Sequence, residues 1–310
     1  MTIIIVRIFC HCYICNKFNV VKRILVPCDF SEQSVNALKF AVHMENTSRS
    51  EIHLLYVVEL PFLHDTVLMP TLYFEEERFQ DLRKNAELKL NGIVKGHSMP
   101  EVRLRARVDY GSPSKKILDY VSSNSIDLVL MGTKGATGMC DIFVGSNAEK
   151  VVRQCPVPVI AIKDAVRPRR IKNIVFPNSI ESDSDEDLVM KVKELQHSLN
   201  AHLHIVYINT PLNFRQDIHT RERLSHFAKR YMIRNCTTNV FNDMVEESGI
   251  INFSRMIDAD MIAIGTHGRK GLAHLLSGSL SEDLVNHAQL PVWTYRIERS
   301  DDRLSKMSRA

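Results

Sequence analysis

From Val21 onward, short apolar runs alternate with longer amphipathic ones. KRILVPCDF (22–30) has the β-branched, apolar character of a strand and stops at a proline. SEQSVNALKFAVHMEN (31–46) places apolar residues at helical spacing, with Ser31 as its N-cap. IHLLYVVEL (52–60) predicts a second, buried strand. A long connection over 61–74 leads into a charged helix from about Glu75 to Gly96. VRLRARVDYG (102–111) alternates apolar and polar positions as a half-exposed strand does, and SPSKKILDYVSSNS (112–125) predicts a helix with Pro113 in its first turn. IDLVLMG (126–132) is a fourth strand; a glycine-rich loop, a helix over 147–154 and PVPVIAIK (156–163) complete the unit. Strands alternating with helices imply parallel pairing in a doubly wound sheet.

The same order returns after the basic stretch VRPRR (166–170). IKNIVFP (171–177) repeats KRILVP, with Pro177 in the place of Pro27. HLHIVYINTP (202–211) repeats IHLLYVVELP, and DADMIAIGTHG (258–268) repeats NSIDLVLMGTKG with Asp260 matching Asp127. The chain is therefore a tandem duplication: a first domain over 21–165, a linker over 166–170 and a second domain over 171–298. The first copy is longer between its second and fourth strands, and long connections of that kind are usually functional.

Residues 1–20 (MTIIIVRIFCHCYICNKFNV) match neither copy. They are expected to be a disordered leader or a mis-assigned start, which the intact mass of the natively expressed protein decides. Cys10, His11, Cys12 and Cys15 fit no paired zinc-ligand spacing, so no metal site is expected. The polar tail 299–310 is likewise expected to be unstructured. Forty Lys and Arg stand against 36 Asp and Glu, a near balance that argues against a dedicated DNA binder. No apolar run approaches the length of a membrane span. Seven scattered cysteines fit a reducing cytoplasm better than a disulfide scaffold.

The candidate chemistry lies in MGTKGATGMCDIFVGSN (131–147). Gly132 is followed after two residues by Gly135 and after nine more by Gly145, with Ser146 and Asn147 next. Gly265, Gly268, Gly278 and Ser279 keep the same spacing in the second copy. Each set follows an apolar strand and precedes a helix. Gly132 ends a parallel strand at the carboxyl edge, where open α/β sheets bind ligands, and its missing Cβ is expected to let a ribose or phosphate approach. Gly145 and Ser146 open a helix whose free amides favour an anion. Ser146 could donate to a phosphate oxygen or simply cap the helix.

These motifs, with VPCDFSEQS (26–34), resemble the universal stress protein family of adenine-nucleotide-binding proteins. The resemblance implies an α/β fold of two tandem doubly wound domains, each with a five-stranded parallel sheet of order 3-2-1-4-5. It implies pairing of the two sheets through their last strands, so that one chain forms an intramolecular pseudo-dimer. It also implies a site for ATP, or for AMP or ADP, with magnesium as an accompanying ion, between the ends of strands one and four. By that resemblance Pro27 and Asp29 flank the nucleoside, and Val57 meets the adenine. Met131 and Gly132 lie under the ribose, and Gly135, Gly145, Ser146 and Asn147 surround the phosphates. Gly265, Gly268, Gly278 and Ser279 are the corresponding residues of the second copy.

Alternatives stand beside several of these roles. Asp29 could serve only as a charge partner of a helix start, Val57 could be plain core, and Lys134 could be solvated. In the second copy Ser179 replaces Asp29, and the acidic stretch ESDSDED (181–187) heads the following helix, while His267, Arg269 and Lys270 add positive charge. The first copy is therefore expected to bind nucleotide more tightly. GxxxxGK[ST], a dinucleotide-type glycine fingerprint and HExxH are all absent. No catalytic residue is assigned: a nucleotide-responsive regulator acting on an unidentified protein partner is favoured over a slow ATP hydrolase or phosphotransferase. Cys28 reads as a small buried neighbour of the site, and Met139 and Cys140 as cover for apolar surface. Association of two chains into a homodimer is left open.

Overall fold

The computed structural model describes residues 21–44, 50–59, 72–97, 102–133, 145–179, 186–267 and 280–297. The first half runs β1 (Arg23–Pro27), α1 (Glu32–Val42), β2 (Glu51–Val58), α2 (Leu72–His97), β3 (Arg103–Tyr110), α3 (Pro113–Ser123), β4 (Leu128–Gly132), α4 (Ser146–Gln154) and β5 (Val159–Ile162). A 3₁₀ turn at Pro168–Arg170 then leads into β6 (Asn173–Pro177), α5 (Glu186–Leu199), β7 (His202–Asn209), α6 (Asp217–Arg230) and β8 (Cys236–Asn242). The second half closes with α7 (Glu246–Met256), β9 (Met261–His267), α8 (Leu280–His287) and β10 (Val292–Ile297).

All ten strands form one sheet in the order β3-β2-β1-β4-β5-β10-β9-β6-β7-β8. Each half has the order 3-2-1-4-5 and is parallel throughout. The halves meet antiparallel at β5 and β10, where Ala161, Ile160 and Val159 pair with Val292, Trp293 and Thr294. Both the duplication and the pairing through the last strands are as expected.

Helices cover both faces, so the strands are apolar on both sides. One core layer joins Leu38 and Phe40 of α1 and Leu90 of α2 to Val189 of α5 and Leu224 of α6. The other joins Ile117 of α3 and Val151 of α4 to Phe253 of α7 and Leu284 of α8. Both layers cross the seam between halves without a break. Trp293, 2% exposed, lies in the seam strand, and truncating such a side chain costs about 3–5 kcal/mol.

Polar groups complete the seam reciprocally. Lys163, just after β5, is buried, and its ammonium donates to the carbonyls of Asn286 (2.7 Å) and Ala288 (2.6 Å) at the end of α8. Arg296, on β10, donates to the carbonyl of Gln154 at the end of α4 (3.3 Å). Each half thus supplies a cation to the negative end of a helix in the other. Arg153 of α4 and Glu282 of α8 add an ion pair at 2.6 Å.

The repeated aspartates have a structural role. Asp127 Oδ2 accepts from the amides of Lys22 (2.8 Å) and Arg23 (2.9 Å), and Asp260 Oδ2 does the same for Lys172 and Asn173. They hold the starts of β1 and β6, at the amino edge of each half, away from the carboxyl edge where a ligand would enter.

Candidate functional site

In the first half, β1 has β2 on one side and β4 on the other, so the crevice between the carboxyl ends of β1 and β4 is a topological switch point. The last rung on the β2 side is the Cys28 amide donating to the Leu55 carbonyl (2.8 Å). The chain then turns sharply through Phe30, which holds a left-handed φ of 66°. Carbonyl directions alternate along a strand, so the Val57 carbonyl points the same way as that of Leu55, beyond the point where β1 has turned off. Val57 itself is half-buried and packs on the α3/α4 layer, so its side chain is core while its main chain faces the crevice.

Asp29 lies in that turn. Its Oδ1 accepts from the amide (3.0 Å) and the hydroxyl (2.5 Å) of Ser31. Ser31 is the N-cap of α1, its hydroxyl oxygen accepting from the amide of Ser34 (3.2 Å). Partial burial pushes the Asp29 carboxyl up, but the bonds from Ser31 outweigh it and hold the group below the ordinary carboxylate value. The carboxylate is therefore ionised, exposed and fixed in place as charge partner of a helix start, just past the carboxyl end of β1. Cys28 is buried, with its Sγ 3.7 Å from Ser34 Oγ, and burial raises its thiol pKa. It is a packing neighbour, not a thiolate.

The other wall differs from expectation in three ways. First, Gly132 is a glycine because of the protein itself. A Cβ there would lie 2.4 Å from the carbonyl carbon of Gln33 and 2.5 Å from the Ser34 nitrogen. The first turn of α1 occupies the space a side chain would take, so the glycine is explained by packing and is not by itself a mark of room for a ribose or phosphate. Second, Met131 is 7% exposed and packed among Val129, Val151 and Ala161, so its side chain cannot underlie a sugar; only its main chain is at the rim. Third, the cap of α4 is Gly145, with no side-chain cap bond, and Ser146 is the first helical residue. No described residue lies within 4 Å of a Cβ built on Gly145, and Ser146 is exposed. A helix begun by glycine leaves its first amides without a side-chain acceptor among the described residues. Asn147 is half-buried beside them.

Two buried threonines beside the repeated glycines are not marked by periodicity. Thr133 and Thr266 follow Gly132 and Gly265, are each 2% exposed, and hold hydroxyl oxygens with no hydrogen-bond partner among the described residues. The repeated Gly-Thr pair was the available signal. Lys134, Gly135, Met139, Cys140, Gly268, Arg269, Lys270, Gly278, Ser279, the acidic residues 181–185 and the leader with its three cysteines lie outside the described residues. Among the described residues no group of three His, Cys, Asp or Glu could hold a metal ion. No described helix is long and apolar enough to cross a membrane.

A model of the universal stress protein family matches residues 21–163 and 243–296. The chain belongs to the universal stress protein family. It is 30% identical over 149 residues to a universal stress protein of Methanocaldococcus jannaschii, covering 48% of this chain and 85% of that one. It is 23% identical over 307 residues to the universal stress protein E homolog of Haemophilus influenzae, covering 91% of this chain and 99% of the relative. The crystal structure of a universal stress protein from Archaeoglobus fulgidus aligns with a TM-score of 0.68 at 18% identity, over 90% of this chain and 99% of that one. The last likeness is one of fold.

The two halves of this universal stress protein are not equal at the crevice. The rung that precedes the turn is kept, the Asn178 amide donating to the Val206 carbonyl (2.9 Å). Ser179 stands where Asp29 stands, so the fixed carboxylate is lost. A Cβ on Gly265 would meet the side chains of Leu188 and Ile297, each at 2.8 Å. Apolar side chains therefore close on the second glycine, where main chain closes on the first.

Proposed function

We propose that this universal stress protein is an adenine-nucleotide-binding regulator of the cytoplasmic stress response, with ATP, or AMP or ADP, seated in the β1/β4 crevice of the first half. In this reading residues 21–165 are the nucleotide-binding domain, 166–170 the linker, and 171–298 a partly degenerate partner domain. Asp29 accepts a hydrogen bond from base or ribose, Pro27 and the Val57 main chain border the base, and the rim at Met131 and Gly132 borders the ribose. The amides at Gly145, Ser146 and Asn147, with the Ser146 hydroxyl and Gly135, receive the phosphates, with magnesium as a counter-ion.

The observation that carries this reading is the start of α4 at Gly145, with no side-chain cap bond among the described residues, at the same sheet edge as the fixed Asp29 carboxylate. Helix-start amides and a positive dipole end suit an anion, and a carboxylate suits the hydroxyl or amino donors of a nucleoside. Gly265, Gly268, Gly278 and Ser279 form at best a weaker second seat, because Ser179 replaces the carboxylate.

Mass spectrometry of small molecules released from freshly purified full-length chain, with calorimetry against ATP, ADP and AMP with and without magnesium, tests the reading. One adenine nucleotide per chain, recovered intact and bound at least tenfold more weakly by Asp29→Ala, is expected. A chain that carries no nucleotide and gives no heat with millimolar ATP refutes it.

A further inference from the structure

The two outer strands of the ten-stranded sheet are built differently. β3 carries Arg103, Arg105 and Arg107 at alternate positions, all exposed. β8, CTTNVFN, occupies the equivalent place in the second half and has no charged residue. The registers make the equivalence direct: His53 pairs with Arg105 and Leu55 with Arg107, while His204 pairs with Thr237 and Val206 with Asn239. Since the same fold forms with neutral residues at these positions, the arginines are not required by the fold. An open edge offers unpaired amides and carbonyls to another strand, and charged side chains are a common guard against it. One edge of this sheet has that guard and the other lacks it.

Among the described residues β8 pairs with β7 alone. The Leu203 amide donates to the Asn235 carbonyl (3.0 Å), so alternation turns Thr237, Asn239 and Phe241 toward β7. The main-chain groups of Cys236, Thr238, Val240 and Asn242 point outward.

We propose that β8 is a self-association edge, on which two copies of this chain pair antiparallel about a two-fold axis at Thr238 to form a homodimer with one continuous sheet. The axis sets Thr238 opposite its own copy and Cys236 opposite Val240, so every outward group meets an outward group. A second copy is the occupant because a neutral strand does not repel itself, whereas β3 on β3 would set arginine beside arginine. The flanks are self-complementary as well. Met232 (70% exposed) lies shortly before β8 and Met244 (75%) shortly after it, so the axis brings the Met244 end of one strand alongside the Met232 end of the other. Leu212 (94% exposed) and Phe214 (71%) extend the apolar flank at Met244, tied there by Asn213 Nδ2 donating to Glu246 Oε1 (3.0 Å). Together these side chains expose several hundred Å² of apolar surface, about as much as the largest patch a typical monomer leaves open.

Sedimentation equilibrium of the full chain across a micromolar-to-submillimolar series tests the inference, with hydrogen exchange at each concentration. Twice the chain mass at high concentration is expected, with the Thr238 and Val240 amides gaining protection as the dimer forms. Thr238→Pro removes an outward amide and no rung to β7, and is expected to be a monomer with an unchanged circular dichroism spectrum. Asn239→Arg places a charge where Arg107 stands and should weaken association at least tenfold; it carries the test if the proline variant fails to fold. A chain that stays monomeric throughout, with the edge free or serving a different protein, overturns the proposal. A dimer that neither variant weakens overturns it too.

Discussion

Replacing Gly132 by alanine separates the two explanations of the glycine motif. The added methyl would lie 2.4 Å from the carbonyl carbon of Gln33 and 2.5 Å from both its oxygen and the Ser34 nitrogen. Carbon contacts are comfortable at about 3.5–4.0 Å, so the first turn of α1 must retreat by roughly 1 Å. The obstacle is main chain, which cannot swing aside as a side chain does. Overpacking of this kind costs about 1–3 kcal/mol and occasionally more, and the retreat also disturbs the bonds joining Asp29, Ser31 and Ser34; about 3 kcal/mol is expected. For a chain of this size that lowers the melting temperature by roughly 6–10 °C. Gly145→Ala is the internal control: its methyl meets no described residue within 4 Å, and alanine as N-cap costs at most about 1 kcal/mol. Thermal and urea denaturation followed by circular dichroism measure both. A Gly132→Ala protein that melts within about 2 °C of the parent, or a Gly145→Ala protein equally damaged, would refute the packing argument.

Three further outcomes are expected. Ser31→Ala removes both the cap of α1 and the hydroxyl donated to Asp29, so stability falls by about 1 kcal/mol and the Asp29 pKa rises toward its ordinary value, read by denaturation and by an NMR titration of the carboxyl. Lys163→Met leaves the Asn286 and Ala288 carbonyls without their donor in a buried seam, costing roughly 2–3 kcal/mol in denaturation; an unchanged midpoint would mean the reciprocal caps do not hold the halves together. His53 and His204 are held below the ordinary histidine value of 6.5, chiefly by burial, with Glu51 opposing the effect at His53 and the neighbouring His202 adding to it at His204. Both are neutral in the folded chain where the unfolded chain is protonated, so stability is full above about pH 6.5 and declines as pH falls through the depressed folded values; His204→Gln should flatten that slope, and an unchanged slope would exclude His204 as its source.

Much of the architecture is a property of the chain read locally. The period-two and helical runs, Ser31 as a cap, Pro113 at a helix start and the duplicated motifs are visible because each depends on neighbours a few residues away. The boundaries also lie close: α1 is Glu32–Val42 against an expected 31–46, and α4 is Ser146–Gln154 against 147–154.

What the tertiary structure decided is the reason behind several of those residues. That Gly132 makes room for Gln33, that Met131 faces the core and that Gly145, not Ser146, caps α4 depend on which surfaces meet after α1 crosses the end of β4. The same is true of Lys163, an ordinary-looking end to PVPVIAIK that reaches a helix from the other half, and of the guarded and unguarded edges at β3 and β8. Periodicity reports how a segment divides its own faces between water and core. It carries no information about which distant atoms arrive at a given face, and steric exclusion, orphaned hydroxyls and helix caps across a seam are all relations between distant atoms.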